Sequence, residues 1–125
     1  MIGVDIVEIK RFERILERFG NKALEKYLDN DEIELVKNAQ SAAGFFAAKE
    51  AISKALGVGI SKTCGFGDIK IYKLPSKAPS FTLSSHLIAS YKITSVSLSI
   101  AHDGGFAIAV AAIEGEPLQK QKLSH

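Results

Sequence analysis

The run Phe45-Phe46-Ala47-Ala48-Lys49-Glu50-Ala51-Ile52-Ser53-Lys54-Ala55-Leu56-Gly57 limits the fold more than any other stretch of this chain. Ala and Leu are dense in it and Pro is absent, so it predicts a helix. Ser41 is placed to cap its start and Gly57 to end it. At 100° per residue Phe45, Ala48, Ile52 and Ala55 share a face, the mark of a helix buried along one side. Lys49, Glu50, Ser53 and Lys54 group on another. A helix this apolar belongs at the centre of a fold, yet it carries an acid flanked by lysines, and such groups are rarely buried without partners. Two readings stay open: a solvated face with i,i+4 pairing, or a site with a carboxylate for a metal and lysines for an anion.

Around that helix the pattern is strand, helices, then a run of strands, which predicts an α+β fold with a long central helix packed on a small, mainly antiparallel sheet. Ile2 to Ile9 is rich in β-branched residues and apolar on both faces, as a buried strand is. Asp5 sits in its middle, where an unpaired carboxylate would cost several kcal/mol, roughly, and so calls for a cation, hydrogen-bond donors or a cleft. Lys10 to Phe19 predicts an amphipathic helix with Phe12, Ile15, Leu16 and Phe19 inward. Arg11, Arg14 and Arg18 form a ridge on another side, a dock for an acidic partner or a solvated face. Lys22 to Leu28 predicts a short helix. Asp29-Asn30-Asp31 caps another, through about Asn38, with Ile33, Leu35 and Val36 as its core contacts.

Further along, Gly57-Val58-Gly59-Ile60-Ser61-Lys62-Thr63 follows a helix rather than a strand, which excludes both a dinucleotide fingerprint and a P-loop. It reads as a Gly-rich turn between Lys54 and Lys62, with room for a phosphate or with a plain helix-ending role. Strands are predicted at Asp68–Lys73 and Phe81–Leu83, with a short helix from Ser84 to Tyr91 between them and the last hairpin. Thr94–Ala101 and Phe106–Ile113 form that hairpin, joined by His102-Asp103-Gly104-Gly105. Ser95, Ser97 and Ser99 point one way, and Val96, Leu98 and Ile100 the other. The last strand is apolar on both faces, so something covers it. The domain is predicted over 1–113, with 114–125 a polar, frayed tail.

Composition narrows the function classes. The 125 residues allow one domain, and a net charge of +2 is too small to argue for nucleic acid. No apolar run is long enough to span a bilayer. The N-terminus opens on a strand with an early aspartate rather than a leader. One cysteine, Cys64, can form no internal disulfide or metal cluster, which suits the cytoplasm.

Three segments together resemble one family, the holo-[acyl-carrier-protein] synthases, which are small 4'-phosphopantetheinyl transferases. They are Gly3-Val4-Asp5-Ile6-Val7-Glu8-Ile9, then Phe46 to Ala51 with Ser53 to Gly57, and Ser97-Leu98-Ser99-Ile100-Ala101-His102. The resemblance spans residues 1 to about 113. It implies transfer of phosphopantetheine from coenzyme A to a serine of apo acyl carrier protein, releasing adenosine 3',5'-bisphosphate, in support of fatty acid biosynthesis. It implies Mg²⁺ as cofactor, held by Asp5 and Glu50, and a homotrimer with active sites at subunit interfaces. Lys54, Gly57, Gly59 and His102 match positions around coenzyme A, with Lys49 and Lys62 as further phosphate partners and Glu8 in the metal's outer shell. Asp5, Glu50 and Lys54 form the implied catalytic set, and Arg11, Arg14 and Arg18 the implied carrier-protein surface. Two departures stand out. Ala101-His102-Asp103 replaces the family's usual Ser-His-Thr, placing a negative charge beside His102, and Lys77-Ala78-Pro79 replaces Gly-Lys-Pro. The weighed alternatives are a non-catalytic module that binds an acidic partner through the arginine ridge, and a metal-dependent phosphohydrolase suggested by Glu8-Ile9-Lys10.

Overall fold

The computed structural model describes residues 1–118. The central helix, α3 (Ala39–Ala55), packs against a three-stranded antiparallel sheet. The sheet is made of β1 (Ile2–Glu8), β4 (Ser95–Asp103) and β5 (Phe106–Glu114), in the order β1-β5-β4. A second antiparallel pair, β2 (Ile69–Lys73) and β3 (Pro79–Leu83), continues beside β4. The chain also forms α1 (Ile9–Phe19), α2 (Asn30–Leu35) and α4 (Ser85–Ser90), with a 3₁₀ segment over Gly20–Lys26 where the sequence predicts a short helix. Among the described residues no helix is long and apolar enough to cross a membrane.

The long helix starts earlier than its alanine run suggests. Asn38, not Ser41, is the N-cap: its side chain accepts from the Ser41 N–H at 3.0 Å. Ser41 stands at N3 and its hydroxyl accepts from the Asn38 N–H at 3.1 Å, the reciprocal half of a capping box. At the other end Gly57 takes φ +81°, which ends the helix as the sequence predicts. The buried side of α3 is far wider than one stripe: Ala42, Ala43, Ala47, Ala48, Ala51, Ile52 and Ser53 are all fully buried.

Small residues set how closely sheet and helix approach. Gly3 faces α3 so tightly that a Cβ there would collide with the Ala51 carbonyl oxygen and the Ala55 nitrogen. Ala107, Ala109 and Ala111 of β5 present the same flat surface from the neighbouring strand and are fully buried. Along β5 this inner face is buried. The outer face is not covered by the described residues. Ile2, Val4 and Ile6 are 74%, 53% and 57% exposed, which corrects the expectation of a strand buried on both sides. Val110 and Phe106 continue the same apolar surface across β5, in register with Val4 and Glu8. The inward and outward residues of β4 are those the alternation predicts, with Ser95, Ser97 and Ser99 exposed.

Other differences have local causes. Only Gly104 and Gly105 form the hairpin turn, both at positive φ, the two-residue geometry that matches strand twist. His102 and Asp103 therefore lie inside β4, opposite Ala107 and Phe106, rather than at the tip. In α2 the buried residue is Glu32, while Ile33, Leu35 and Val36 are only half-buried. On α1 Phe12 is buried, but Phe19 is exposed and the apolar stripe lines a groove instead of a core. At the C-terminus Glu114 ends β5, and the Glu116 N–H donates to the Tyr91 carbonyl at 2.6 Å. The rest of the expected tail, 119–125, lies outside the described residues.

Candidate active site

The close contact made by Gly3 brings the next inward residue of β1, Asp5, against α3 where Glu50 and Lys54 project. Lys54 Nζ donates to Asp5 Oδ1 at 2.7 Å. The Asp5 side chain is 14% exposed and that of Lys54 is 50%, so the cluster is reachable from solvent on one side. The hydrogen bond to Asp5 holds the Lys54 ammonium above its ordinary pKa. Burial, followed by the negative charge of Asp5, raises the Glu50 carboxyl above the usual range. Two carboxylates thus repel each other at the mouth of the sheet–helix contact, and one lysine already answers their charge. That donor set suits a hard divalent cation, which takes one or two protein carboxylates and fills its remaining positions with phosphate oxygens and water.

The Gly-rich turn follows directly below Lys54. The Gly57 N–H donates to the Lys54 carbonyl, and the Val58 and Gly59 N–H groups donate to the Ser53 carbonyl, at 2.9, 3.3 and 3.1 Å. These amides are engaged by the helix end, so the turn offers space rather than donors. Among the described residues no atom lies within 4 Å of a Cβ placed at Gly57 or Gly59. Their positive φ values, +81° and +62°, are what favour glycine there.

Lys49 does not belong to this cluster, which corrects its expected place on a shared polar face. It is buried, and its ammonium donates to Glu32 Oε1 at 3.0 Å and to the Phe66 carbonyl at 3.1 Å. Glu32 Oε2 accepts from the Ile71 N–H and Oε1 from the Asp29 N–H, so both carboxylate oxygens and the ammonium of the buried pair have hydrogen-bond partners. Burial draws the Lys49 ammonium below the ordinary lysine range, against the pull of Glu32.

His102 lies at the opposite end of α3. Its Nε2 is 3.0 Å from the Gln40 carbonyl. Gln40 to Lys54 is roughly 21 Å of helix axis at ~1.5 Å per residue, so one chain does not bring His102 to the carboxylates. Gly44 makes the His102 position possible: a Cβ there would sit 3.0 Å from Ile100 Cγ2 and 3.4 Å from His102 Nε2. Sequence reasoning missed Gly44 and also Lys73, which lines the same pocket from β2. Neither carries a local signal, because only tertiary packing brings β2 to the start of α3.

The arginines remain on the surface of α1. Arg14 pairs with Glu8 at 3.6 Å, which occupies Glu8 away from the Asp5 cluster. The Arg11 guanidinium lies 5.5 and 5.3 Å from the Phe12 and Phe46 ring centres, and that of Arg18 lies 5.1 Å from Phe19. Beside them runs a groove of about 530 Å³ with an apolar floor, including Leu16, Tyr27 and Phe66, and a rim that includes Arg11, Lys22 and Lys26. Lys62 is exposed in the loop after the Gly-rich turn.

A small α+β domain with paired acids between a strand and a central helix defines a class, and comparison identifies it. The sequence pattern of the 4'-phosphopantetheinyl transferase superfamily matches residues 1–111, and the chain belongs to that family. Within it the chain is similar to the holo-[acyl-carrier-protein] synthase of Sulfurimonas denitrificans, 54% identical over 96% of this chain and 99% of that one. The Helicobacter pylori enzyme of the same name is 54% identical over 90% of this chain and 96% of that one. The crystal structure of the Helicobacter pylori enzyme in complex with coenzyme A superimposes with a TM-score of 0.86 at 52% identity, covering 91% of this chain and all of that one. The enzyme from Neisseria meningitidis superimposes with a TM-score of 0.79 at 32% identity, covering 90% and 96%.

Proposed function

We propose that this protein transfers the 4'-phosphopantetheine group of coenzyme A to a serine of apo acyl carrier protein, serving fatty acid biosynthesis in the cytoplasm. The Asp5–Glu50–Lys54 cluster carries the reading, because the fold places two carboxylates and a lysine together at an open edge. The serine oxygen forms a bond to the β-phosphorus of coenzyme A as its proton is released, and the pyrophosphate P–O bond breaks to free adenosine 3',5'-bisphosphate. Asp5 and Glu50 would hold Mg²⁺, which when bound supplies charge neutralisation for the pyrophosphate. Lys54 neutralises phosphate oxygens beside them, and the space above Gly57 and Gly59 admits the nucleotide. Much of the rate then comes from position and fixed charge.

Assembly into a homotrimer completes this site. Two features support it: the apolar outer face of the sheet, uncovered by the described residues, and the separation of His102 from the carboxylates along α3. A neighbouring copy can supply the missing end, and the number three follows the family resemblance. The basic ridge and groove on α1 favour an acidic carrier protein, with Arg11, Arg14 and Arg18 steering its approach. The phosphohydrolase and binding-module readings are the weaker ones, since Glu8 is taken up by Arg14 and the carboxylate cluster has no use in a pure binding module.

Intact-mass spectrometry of apo acyl carrier protein tests this reading, after incubation with the protein, coenzyme A and Mg²⁺. A gain of one phosphopantetheine, abolished by chelator, is the expected result. No gain with a folded enzyme and several carrier proteins overturns it.

A further inference from the structure

The groove beside α1 has a floor that charge steering alone does not call for. Phe12, Leu16 and Phe19 follow one another along it, an apolar track of about 10 Å at ~1.5 Å per helical residue. Phe12, Tyr27, Phe46 and Phe66 interlock in its floor, with neighbouring ring centres 5.3 to 6.3 Å apart. The Tyr27 hydroxyl donates to the Ala42 carbonyl at 2.8 Å, so its polar end is engaged in the interior. Phe19 is 57% exposed on this track, a large ring left in water.

The rim is cationic and unanswered. Arg11, Lys22 and Lys26 line the groove and no carboxylate does. None of the three makes an ion pair among the described residues. Arg11 lies at the α3 end, over the Phe12 and Phe46 rings, where its charge also acts on Glu50. Lys22 follows Phe19 at the other end, and Lys26 lies further along the 3₁₀ segment. The volume, about 530 Å³, falls within the ~300–1,000 Å³ of small-molecule sites. At ~30 Å³ per water-sized group it admits a chain of about a dozen carbons or more. A narrow apolar track that ends at lysines suits a single hydrocarbon chain with an anionic head.

We propose that this groove binds a free long-chain fatty acid, with its carboxylate at Lys22 and Lys26 and its chain along Phe19, Leu16 and Phe12 toward Phe46. The head lies away from Arg11, because a second carboxylate there would face Glu50. The consequence for activity rests on the transferase reading above. The chain occupies the surface that the carrier protein approaches, so fatty acid and carrier exclude each other, while coenzyme A binds freely. A fatty acid is thus a reversible inhibitor that acts on one substrate of the two.

Isothermal titration of the full chain with octanoate, decanoate and dodecanoate, each below its micelle concentration, tests the site. The proteins are wild type, Phe19→Glu, the double variant Lys22→Gln with Lys26→Gln and, as a control, Lys77→Gln. Each buried methylene is worth up to about fourfold in affinity, so wild type is expected to bind dodecanoate at one site at least about tenfold more tightly than octanoate. Phe19→Glu, at an exposed position that tolerates a charge in folding, weakens dodecanoate by at least about tenfold. The double variant weakens all three acids by a similar factor, and Lys77→Gln matches wild type. No saturable binding of dodecanoate by wild type, no gain with chain length, or unaltered binding by Phe19→Glu overturns the site. In transfer assays dodecanoate is expected to raise the KM for apo acyl carrier protein and leave that for coenzyme A unchanged. Inhibition that excess carrier protein does not relieve overturns the competition. Absence of transfer by wild type, with dodecanoate still bound, overturns the transferase reading and leaves the fatty-acid site standing.

Discussion

Lys49 and Lys54 stand less than two turns apart on α3, and each donates to a carboxylate, at 3.0 and 2.7 Å. Their surroundings are opposite. The Lys49–Glu32 pair is sealed, with side chains 2% and 1% exposed and further bonds to the Phe66 carbonyl and the Ile71 and Asp29 N–H groups. The Lys54–Asp5 pair opens to solvent and has Glu50 beside it with its charge only partly answered. The first pair is closed chemistry that ties α2, α3 and β2 together. The second is unfinished, and unfinished charge at an accessible edge is what a phosphate and a cation can complete. The same two residue types on one helix thus serve structure in one place and, on the proposed reading, reaction in the other, and the difference lies in what surrounds them.

The largest way to break this contrast is Lys49→Met. It strands a carboxylate in the interior and should cost about 3–5 kcal/mol of folding stability, read from urea unfolding. Lys54→Met should do the reverse. Its stability cost should be smaller, about 1–3 kcal/mol, because Lys54 is half-exposed and Asp5 keeps some access to water. Transfer activity should nevertheless fall by about a hundredfold, the scale of losing one fixed charge at a phosphate. If Lys54→Met unfolds the protein, or Lys49→Met leaves its stability untouched, the contrast fails.

Glu50→Gln sharpens it further. The Glu50 pKa is raised in the folded state, so ionisation opposes folding. Stability is full below the unfolded carboxylate pKa and declines as pH rises through the raised value. Glu50→Gln should therefore abolish transfer yet raise the thermal midpoint in metal-free buffer at pH 7, with the gain vanishing as pH falls below the ordinary carboxylate range. A midpoint that drops at pH 7 would remove the case for unanswered charge. The smallest effect concerns Cys64, buried beside the sealed region, with its thiol pushed up to about 11, chiefly by desolvation. It should resist alkylation in the native protein and react at once in urea.

Much of this site was legible in the sequence, because its parts sit on the two most regular elements. Asp5 in an apolar strand and Glu50 with Lys54 on an alanine-rich helix each stand out locally. The role of Lys49 was not legible, since the partner that buries it lies on α2 and helical spacing cannot report a contact from another element. The wide burial of α3 likewise depends on alanines meeting a sheet of alanines and glycine, so the polar face drawn from angles alone was too broad. His102 was misplaced by two residues of turn, because two glycines at positive φ suffice where four turn-formers stand in a row. The apolar outer face of the sheet was legible as a pattern, but the described residues of one copy leave it bare.

Gly3 sets a spacing that no side chain controls. Where two main chains touch, nothing is left between them to swell, shrink or swap rotamer. Substitutions elsewhere in the interior can accumulate and be absorbed by repacking, yet the gauge between strand and helix stays fixed by the width of the peptide groups themselves. The alignment of Asp5 with Glu50 is thereby insulated from drift in the rest of the molecule, and only a change at the contact itself would reset it.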